Sequence, residues 1–196
     1  MTQNQIWNVP NTLSMLRLVL SVFVFICIAQ SWFLAAFILF IITAFTDQLD
    51  GWWARKFNQI TQLGRMLDPF ADKILICGTF IFLAAEPEMR SLTWGLQPWV
   101  AVVVMGREML VTAIRGFIEQ HGGNFSAEWS GKIKMVFQCV AAAAGLLYLH
   151  CVTPETPAPA WLLYTLIISV WITIISTVYS GMEYVLRAIS MLRKNA

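Results

Sequence analysis

Four aspartates fall in a single stretch of an otherwise strongly apolar chain. Asp47 and Asp50 are three residues apart, and Asp68 and Asp72 are four residues apart. On α-helices, residues at these spacings lie on one face. A turn that contains Gly64 would fold the two helices so that the aspartate pairs face each other. The sequence therefore predicts a site built from four carboxylates.

Such a site needs compensating positive charge. Two like charges about 4 Å apart repel by roughly 4 kcal/mol at an effective dielectric constant near 20. Oxygen-only ligand sets suit hard divalent ions, and two such ions about 4 Å apart form a clamp that is used for phosphoryl-type transfer. We therefore predict two bound divalent ions, Mg²⁺ or Mn²⁺.

Small and basic residues accompany the aspartates. Gly51 and Ala54 leave the backbone open to a close-fitting ligand, and Arg55 adds a cation. The alternative is that the acids pair with Arg55, Arg65 and Lys73 only for packing. Grouping all four acids is a poor way to build separate ion pairs, and ionisable residues in membrane spans are functional by default. A functional site is the better interpretation.

Together these residues form one pattern. It reads Asp47-x2-Asp50-Gly51-x2-Ala54-Arg55-x8-Gly64-x3-Asp68-x3-Asp72. It resembles the signature of the CDP-alcohol phosphotransferase family. Each fixed position has a chance match of roughly one in twenty, so an accidental match to the whole pattern is negligible. The resemblance implies an all-α integral membrane enzyme that uses a CDP-linked lipid as donor.

The resemblance also implies a role for each acidic residue. Asp47, Asp50 and Asp68 would bind the metal pair. Asp72 would share one ion and act as the general base that takes the proton of the acceptor hydroxyl. The attacked phosphorus would be the one esterified to diacylglycerol, and CMP would leave.

A second motif lies near the N-terminus. Pro10, Asn11, Leu13, Ser14 and Arg17 match the Pro-Asn-x-Leu-Ser/Thr-x-x-Arg opening of such proteins. We assign Asn11 and Arg17 to the donor site, although a helix cap and an interfacial anchor would look the same. The implied CDP-lipid site then comprises Gly51, Ala54, Arg55, Gly64, Asn11 and Arg17.

The composition requires a membrane to hold these residues. Of the 196 residues, 58% are hydrophobic and 12% are charged, whereas soluble domains carry about 25% charged residues. We predict one membrane domain over residues 1–196, with an interfacial segment at 1–10, a loop at 86–90, and a loop or short surface helix at 121–130. The six predicted transmembrane helices are 13–29, 33–57, 67–85, 98–118, 132–150 and 161–180, the last with a helical continuation to 192.

The distribution of cations predicts the orientation. Ten of the 13 Lys and Arg residues fall near one predicted membrane face, whereas Arg90 is the only cation in the opposite loops. By the positive-inside rule the basic face is cytoplasmic, and six spans place both termini there. The protein is therefore expected in the inner (cytoplasmic) membrane, with the aspartates at the depth of the cytoplasmic headgroups. That depth suits a lipid whose nucleotide head reaches water.

Basic residues later in the chain suit a phosphorylated acceptor. Arg107, Arg115, Lys132 and Lys134 would bind its phosphate, because arginine offers fork geometry and lysine a mobile point charge. The alternative is that Arg107 only pairs with Glu108 or with an aspartate. Charged side chains on the fourth span are expected to face the bundle interior.

Several segments of the chain resemble, more specifically, the bacterial members of this family that form phosphatidylglycerophosphate. The implied acceptor is glycerol 3-phosphate, and the implied donor is CDP-diacylglycerol. Phosphatidylglycerol, as in a cardiolipin synthase, inositol phosphate and serine are alternative acceptors, but the basic residues favour a phosphorylated one. The segments are 8–20, 46–73, 106–123, 130–138 and 180–184.

Other classes of protein fit less well. A cation transporter would place acids near the bilayer midplane and carry repeat symmetry, and neither feature is seen. A structural scaffold has no use for clustered aspartates. Nucleic acid is not an expected partner, because no basic run with interleaved aromatics occurs. The expected partners are membrane lipids and, from the family resemblance, a second copy in a homodimer.

Overall fold

The described part of the chain is entirely helical. The computed structural model gives the backbone of residues 9–57, 62–120, 129–153 and 156–195, and the side chains of residues 11–46, 70–118, 134–153 and 156–190. These ranges contain seven helices and no strand. The helices are α1 (Val9–Ala29), α2 (Phe33–Phe57), α3 (Gln62–Ala85), α4 (Pro87–Ser91), α5 (Pro98–Gln120), α6 (Trp129–Cys151) and α7 (Ala160–Asn195).

Six of the helices are long. α1 has 21 residues and α7 has 36, which correspond to about 32 Å and 54 Å at roughly 1.5 Å per residue. The hydrocarbon core of a bilayer is about 30 Å thick. Among the described residues, three stretches are both long and apolar enough to cross it: Asn11–Ala29, Lys134–Cys151 and Ala160–Ser190. α2 adds a shorter apolar stretch, Phe33–Thr46.

The start of α1 differs from the prediction. The helix begins at Val9, so Asn11 lies inside it and the helix-cap interpretation of Asn11 is wrong. Pro10 is accommodated in the first turn, where a backbone N–H has no intrahelical acceptor to lose.

The predicted bounds also differ around α3 and α6. α3 begins at Gln62, so Gly64 is helical and does not form the predicted turn. The connection from α2 is residues 58–61, which lie outside the described residues. The predicted segment 121–130 is helical from Trp129 onward, while 121–128 lies outside the described part.

The segment 86–90, predicted to be a loop, forms most of the short helix α4. Pro87 occupies its first turn, where proline is well tolerated. Ser91 donates its hydroxyl to the carbonyl oxygen of Glu88 at 2.7 Å, and the Leu92 amide bonds to the Met89 carbonyl at 3.2 Å. These bonds satisfy groups that a helix end would otherwise leave without partners.

α3 occupies a central place in the bundle. It contacts α1, α2, α5 and α6, and its C-terminal end also meets α4. α6 packs against α2 and α7, and α5 packs against α3 and α7. Side chains on α3 can therefore face both the α1–α2 pair and the α5–α6–α7 group.

A tight turn joins α1 to α2. Ser31 has φ 58°, a left-handed conformation that is uncommon for a residue with a Cβ. The Trp32 amide bonds to the Cys27 carbonyl and the Ser31 amide to the Ile28 carbonyl, both at 2.8 Å. This pair of bonds is the Schellman motif, which closes the end of α1 and reverses the chain within the three residues that precede α2.

Small residues let the helices approach closely, as the run Ala141–Gly145 predicts. Ala141 and Ala142 are fully buried, and a Cβ built at Gly145 would lie 2.9 Å from Cδ1 of Leu83. Close contact through small residues is how membrane helices gain packing energy.

Gly78 on α3 carries the first prediction. A Cβ at this position would lie 2.6 Å from Cε1 of Phe25, whose ring is held by stacking on Phe82 at 5.3 Å between centroids. Gly78→Ala should lower the free energy of unfolding by about 1–3 kcal/mol through overpacking. The matched control is Gly106→Ala on α5, where nothing lies within 4 Å of the new Cβ. Thermal melting in detergent compares the two, and equal melting temperatures would contradict the prediction.

Candidate active site

The aspartates lie on helices that meet at a short connection. Asp47 and Asp50 belong to the C-terminal part of α2, and Asp68 and Asp72 belong to the N-terminal part of α3. Their spacings of three and four residues therefore fall on helical backbone, as predicted. Of the four side chains, only that of Asp72 lies within the described set.

The other residues of the family pattern lie on the same two helix ends. Gly51, Ala54 and Arg55 are in α2, and Gly64 is in α3. The Arg55 side chain lies outside the described residues, and so does that of Lys132 on α6.

Asp72 connects this region to the centre of the bundle. Its side chain is half-buried, and its charge is close enough to interact with Lys134 of α6. Lys73, the next residue, is also half-buried. The charges of Asp72 and Lys134 therefore interact, although 62 positions separate the two residues in the sequence.

Asn11 and Arg17 on α1 are both buried. Arg17 is fully buried and Asn11 is 2% exposed. An arginine that anchored the helix at the lipid headgroups would extend into water. Interfacial anchoring is therefore not the role of Arg17.

A buried charge cluster joins α5 to α6. Oε1 of Glu108 accepts hydrogen bonds from Nζ of Lys134, from Nη1 of Arg107 at 3.3 Å and from Nε2 of Gln138 at 3.5 Å. The side chains of Arg107, Glu108 and Lys134 are 9%, 13% and 6% exposed. The charged residues of α5 thus face the bundle interior, as predicted, and Arg107 does pair with Glu108.

α7 adds a second set of contacts to the arginines. Nη2 of Arg107 donates to Oγ of Ser180, and Nη2 of Arg115 donates to the Tyr184 hydroxyl at 3.1 Å. The guanidinium carbons of Arg107 and Arg115 lie 5.7 Å and 5.8 Å from the centroid of the Tyr184 ring. Ser180 and Tyr184 are 1% and 4% exposed, so these contacts are shielded from solvent.

The cluster carries an excess of positive charge. Arg107, Arg115 and Lys134 are cations, and Glu108 pairs with two of them. Asp72 also interacts with the charge of Lys134, so the three cations exceed these two carboxylates by one charge. Nε of Arg107 and Nε of Arg115 are buried without a hydrogen-bond partner among the described residues. Buried donors of this kind are costly unless a ligand satisfies them.

Sequence reasoning predicted the cations but not the residues that hold them. Gln138, Ser180 and Tyr184 were absent from the predicted site, and Glu108 was considered only as a partner of Arg107. Ser180 and Tyr184 are four residues apart, so they lie on the same face of a helix. The available signals are that spacing and the resemblance of segments 130–138 and 180–184 to the family.

An apolar groove of about 650 Å³ runs between α3 and α5 beside the site. Cys77 and Gly78 line it from α3, and Met105 and Met109 line it from α5. A second cavity of about 260 Å³ shares Ile81 and Met105 with it and continues toward α4. The charged residues that line the groove between α3 and α5 are Lys73 and Glu108. The groove therefore leads from the bundle surface to the charged cluster.

The donor set suits divalent ions. The acidic residues offer carboxylate oxygen, which hard ions such as Mg²⁺ and Mn²⁺ prefer. Among the described residues no group of three His, Cys, Asp or Glu side chains could hold a metal ion. Helical backbone at all four aspartates fits the assignment of these residues to a divalent-ion site.

Residues 7–179 match the family model of the CDP-alcohol phosphatidyltransferases. The chain belongs to this family. It is 33% identical to the CDP-diacylglycerol–glycerol-3-phosphate 3-phosphatidyltransferase of Bacillus subtilis over 194 residues, which cover 91% of this chain and 93% of that protein.

Other bacterial relatives have the same name. The Haemophilus influenzae protein is 31% identical over 171 residues, covering 84% of this chain and 89% of the relative. The Escherichia coli protein is 34% identical over 143 residues, covering 70% and 75%. The chain is thus a transferase of the phosphatidyltransferase type and a multi-pass membrane protein. Family membership favours an enzyme over the transporter that was considered from the sequence.

Proposed function

We propose that this protein transfers the phosphatidyl group of CDP-diacylglycerol to glycerol 3-phosphate, giving phosphatidylglycerophosphate and CMP. The acceptor hydroxyl oxygen forms a bond to the phosphorus that carries diacylglycerol. The bond from that phosphorus to the bridging oxygen of the pyrophosphate breaks, and CMP leaves with that oxygen. The names of the three relatives support this choice of donor and acceptor.

The observation that carries the proposal is the charge of the buried cluster. Arg107, Arg115 and Lys134 outnumber the carboxylates that interact with them, Glu108 and Asp72. A phosphate monoester carries about −1.5 to −2 at neutral pH, so glycerol 3-phosphate would be attracted strongly to this positive cluster. A phosphodiester lipid such as phosphatidylglycerol carries a single negative charge and would be attracted less strongly. The cluster therefore favours the phosphorylated acceptor over the acceptor of a cardiolipin synthase.

The acceptor phosphate would be bound by both kinds of cation. The Nε groups of Arg107 and Arg115 would donate to its oxygens, because they lack other described partners. Lys134 would contribute charge while it remains paired with Glu108. Lys132, two residues earlier on α6, would add a further cation.

The acidic residues would hold the metal pair and move the proton. Asp47, Asp50, Asp68 and Asp72 would bind two divalent ions, Mg²⁺ or Mn²⁺. When bound, the ions would neutralise charge on the pyrophosphate oxygens. Asp72 would accept the proton of the acceptor hydroxyl. Its position between the acidic stretch and Lys134 supports this role, since donor and acceptor must meet there.

The remaining family positions would bind the CDP-lipid. Small residues at Gly51, Ala54 and Gly64 would admit the nucleotide close to the backbone, and Arg55 would add a cation. The burial of Asn11 and Arg17 inside the bundle supports a ligand-binding role on α1 over an anchoring one.

The proposed topology has six transmembrane helices. α1, α2, α3, α5, α6 and α7 would span the bilayer, and the basic ends would face the cytoplasm by the positive-inside rule. The active site and both termini would then lie on the cytoplasmic side of the inner membrane, where the lipid head and the soluble acceptor meet.

A homodimer in contact with membrane lipids completes the proposal. The groove between α3 and α5 and the adjoining second cavity are bordered by large apolar side chains that are exposed in the single chain: Phe70 at 55%, Val102 at 70% and Met109 at 61%. Either lipid tails or a second copy would cover them. A disulfide crosslink between Val102→Cys chains in native membranes would support the dimer, and monomers under all oxidising conditions would contradict it.

The test of the proposed reaction uses purified protein in detergent with Mg²⁺ and CDP-diacylglycerol. CMP release is followed while glycerol 3-phosphate, phosphatidylglycerol, inositol phosphate or serine is offered in turn. Release with glycerol 3-phosphate alone is the expected result. Release only with another acceptor would overturn the assignment of the basic cluster, and no release with any acceptor would overturn the proposed reaction.

Removal of the metal tests the acidic site separately. EDTA should stop CMP release, and Mg²⁺ or Mn²⁺ should restore it. The melting temperature should rise with added Mg²⁺ in the wild-type protein, because a ligand that binds only the folded state stabilises it. Asp47→Asn should lose most of this rise. An unchanged response to Mg²⁺ in Asp47→Asn would contradict the ligand assignment.

A further inference from the structure

We propose that Tyr184 and Ser180 on α7 are positioning residues that orient Arg107 and Arg115 toward the acceptor phosphate. The inference rests on the proposed function, since it assumes that these arginines bind the acceptor. It adds two residues of a different helix, which neither the basic motif nor the aspartate pattern includes.

The first observation is that one aromatic ring serves two arginines. Arg107 and Arg115 are eight residues apart on α5, which is about 12 Å along the helix axis. Both guanidinium carbons nevertheless lie within 6 Å of the Tyr184 ring centroid, at 5.7 Å and 5.8 Å. Cations are attracted to aromatic faces at this range, and the attraction is larger when water is excluded. Tyr184, at 4% exposure, meets that condition.

The second observation is that hydrogen bonds fix the rotation of each guanidinium group. Arg115 donates through Nη2 to the Tyr184 hydroxyl at 3.1 Å, and Arg107 donates through Nη2 to Ser180. Arg107 also donates through Nη1 to Glu108. A guanidinium group is planar, so these bonds determine where its remaining N–H groups point.

The consequence is a fixed set of donors for the ligand. Both Nη groups of Arg107 and Nη2 of Arg115 are held by Glu108 and α7, and Nε of each arginine is a buried donor that lacks a described partner. Without the contacts from α7, the two guanidinium groups would repel each other and move apart. Flexible arginine side chains would also lose conformational entropy on binding the phosphate. By holding both arginines before the acceptor arrives, α7 would lower the cost of binding without touching the reacting atoms.

Steady-state kinetics of the full-length enzyme separate this role from simple packing. Tyr184→Leu should raise KM for glycerol 3-phosphate by about tenfold, the effect of losing two cation–π contacts and one hydrogen bond. KM for CDP-diacylglycerol should stay unchanged. Tyr184→Phe keeps the ring and should raise the acceptor KM by only about threefold, and Ser180→Ala should act similarly.

The matched control is Tyr179→Leu. Tyr179 lies on the same helix and is 67% exposed, so its replacement should leave both KM values unchanged. Inorganic phosphate, tested as a protecting ligand in thermal melting, provides a readout without turnover. It should stabilise wild type and Tyr179→Leu more than Tyr184→Leu.

Several outcomes would overturn the inference. One is an acceptor KM within twofold of wild type in both Tyr184→Leu and Ser180→Ala. Another is an equal rise in the KM for donor and acceptor, which would indicate a general packing defect. If Tyr184→Leu does not fold, Tyr184→Phe and Ser180→Ala decide the question, because both keep the buried volume nearly intact. A wild-type enzyme that does not use glycerol 3-phosphate would instead refute the proposed function.

Discussion

Asp72→Asn is expected to lower the rate of CMP release by a factor of about 10²–10⁴, the usual contribution of a positioned general base. Asparagine keeps the size of the side chain but cannot accept the proton of the acceptor hydroxyl. It also removes one negative charge from the carboxylate set that we propose for the metal pair. The loss should appear in kcat, measured at saturating donor, acceptor and Mg²⁺.

Two controls separate this effect from misfolding. The melting temperature of Asp72→Asn in detergent should stay close to that of wild type, because Asp72 is only half-buried. Lys73→Gln changes the charge of the neighbouring residue and should have a much smaller effect on kcat. A rate within tenfold of wild type in Asp72→Asn would refute the general-base role.

Glu108→Gln is expected to lower the free energy of unfolding by about 3–5 kcal/mol, since it leaves buried cations without their carboxylate. Glu108 Oε1 pairs with Arg107 at 3.3 Å and with Lys134, and both cationic side chains are less than 10% exposed. Chemical or thermal unfolding in detergent measures the loss. Inorganic phosphate should restore part of it, because the anion replaces the missing negative charge.

Glu183→Gln on α7 is the matched control for this prediction. Glu183 pairs with Arg187 at 2.6 Å across one helical turn, and the two side chains are 26% and 44% exposed. Exposed pairs of this spacing contribute about 0.3–0.5 kcal/mol. If Glu108→Gln and Glu183→Gln lose similar stability, the cluster is not the electrostatic centre that its burial indicates.

Much of the helical framework could be predicted from the sequence, because long apolar segments leave few alternatives in a membrane. The continuation of α7 beyond residue 180 is confirmed by its end at Asn195. The predicted helix bounds are wrong where the sequence rules for helix ends and for turns give different answers. Pro10 was read as preceding the helix although proline fits its first turn, and Gly64 was read as a turn although it lies in α3.

The candidate site was predictable only in part, for a physical reason. Arg107 and Lys134 stand out because charge is costly in an apolar chain. Ser180 and Tyr184, which contact the arginines, are uncharged and do not stand out in this way. Arg107 meets Ser180 across 73 residues of sequence and Arg115 meets Tyr184 across 69, and contacts of that range depend on how α5 packs against α7. Hydroxyl side chains are common in membrane helices, so residue type alone does not identify these two.

The shared charge cluster also has a consequence for how the chain is made. α5 carries Arg107, Glu108 and Arg115, and it is not among the described helices apolar enough to cross a membrane by composition. Lys134, which pairs with Glu108, lies on α6, and the residues that hydrogen-bond to the arginines lie on α7. Both helices are synthesised after α5. We therefore expect α5 to settle in the bilayer only after α6 and α7 have left the ribosome. Truncation before α6 should leave α5 uninserted, which would make the insertion of α5 depend on the helices that follow it.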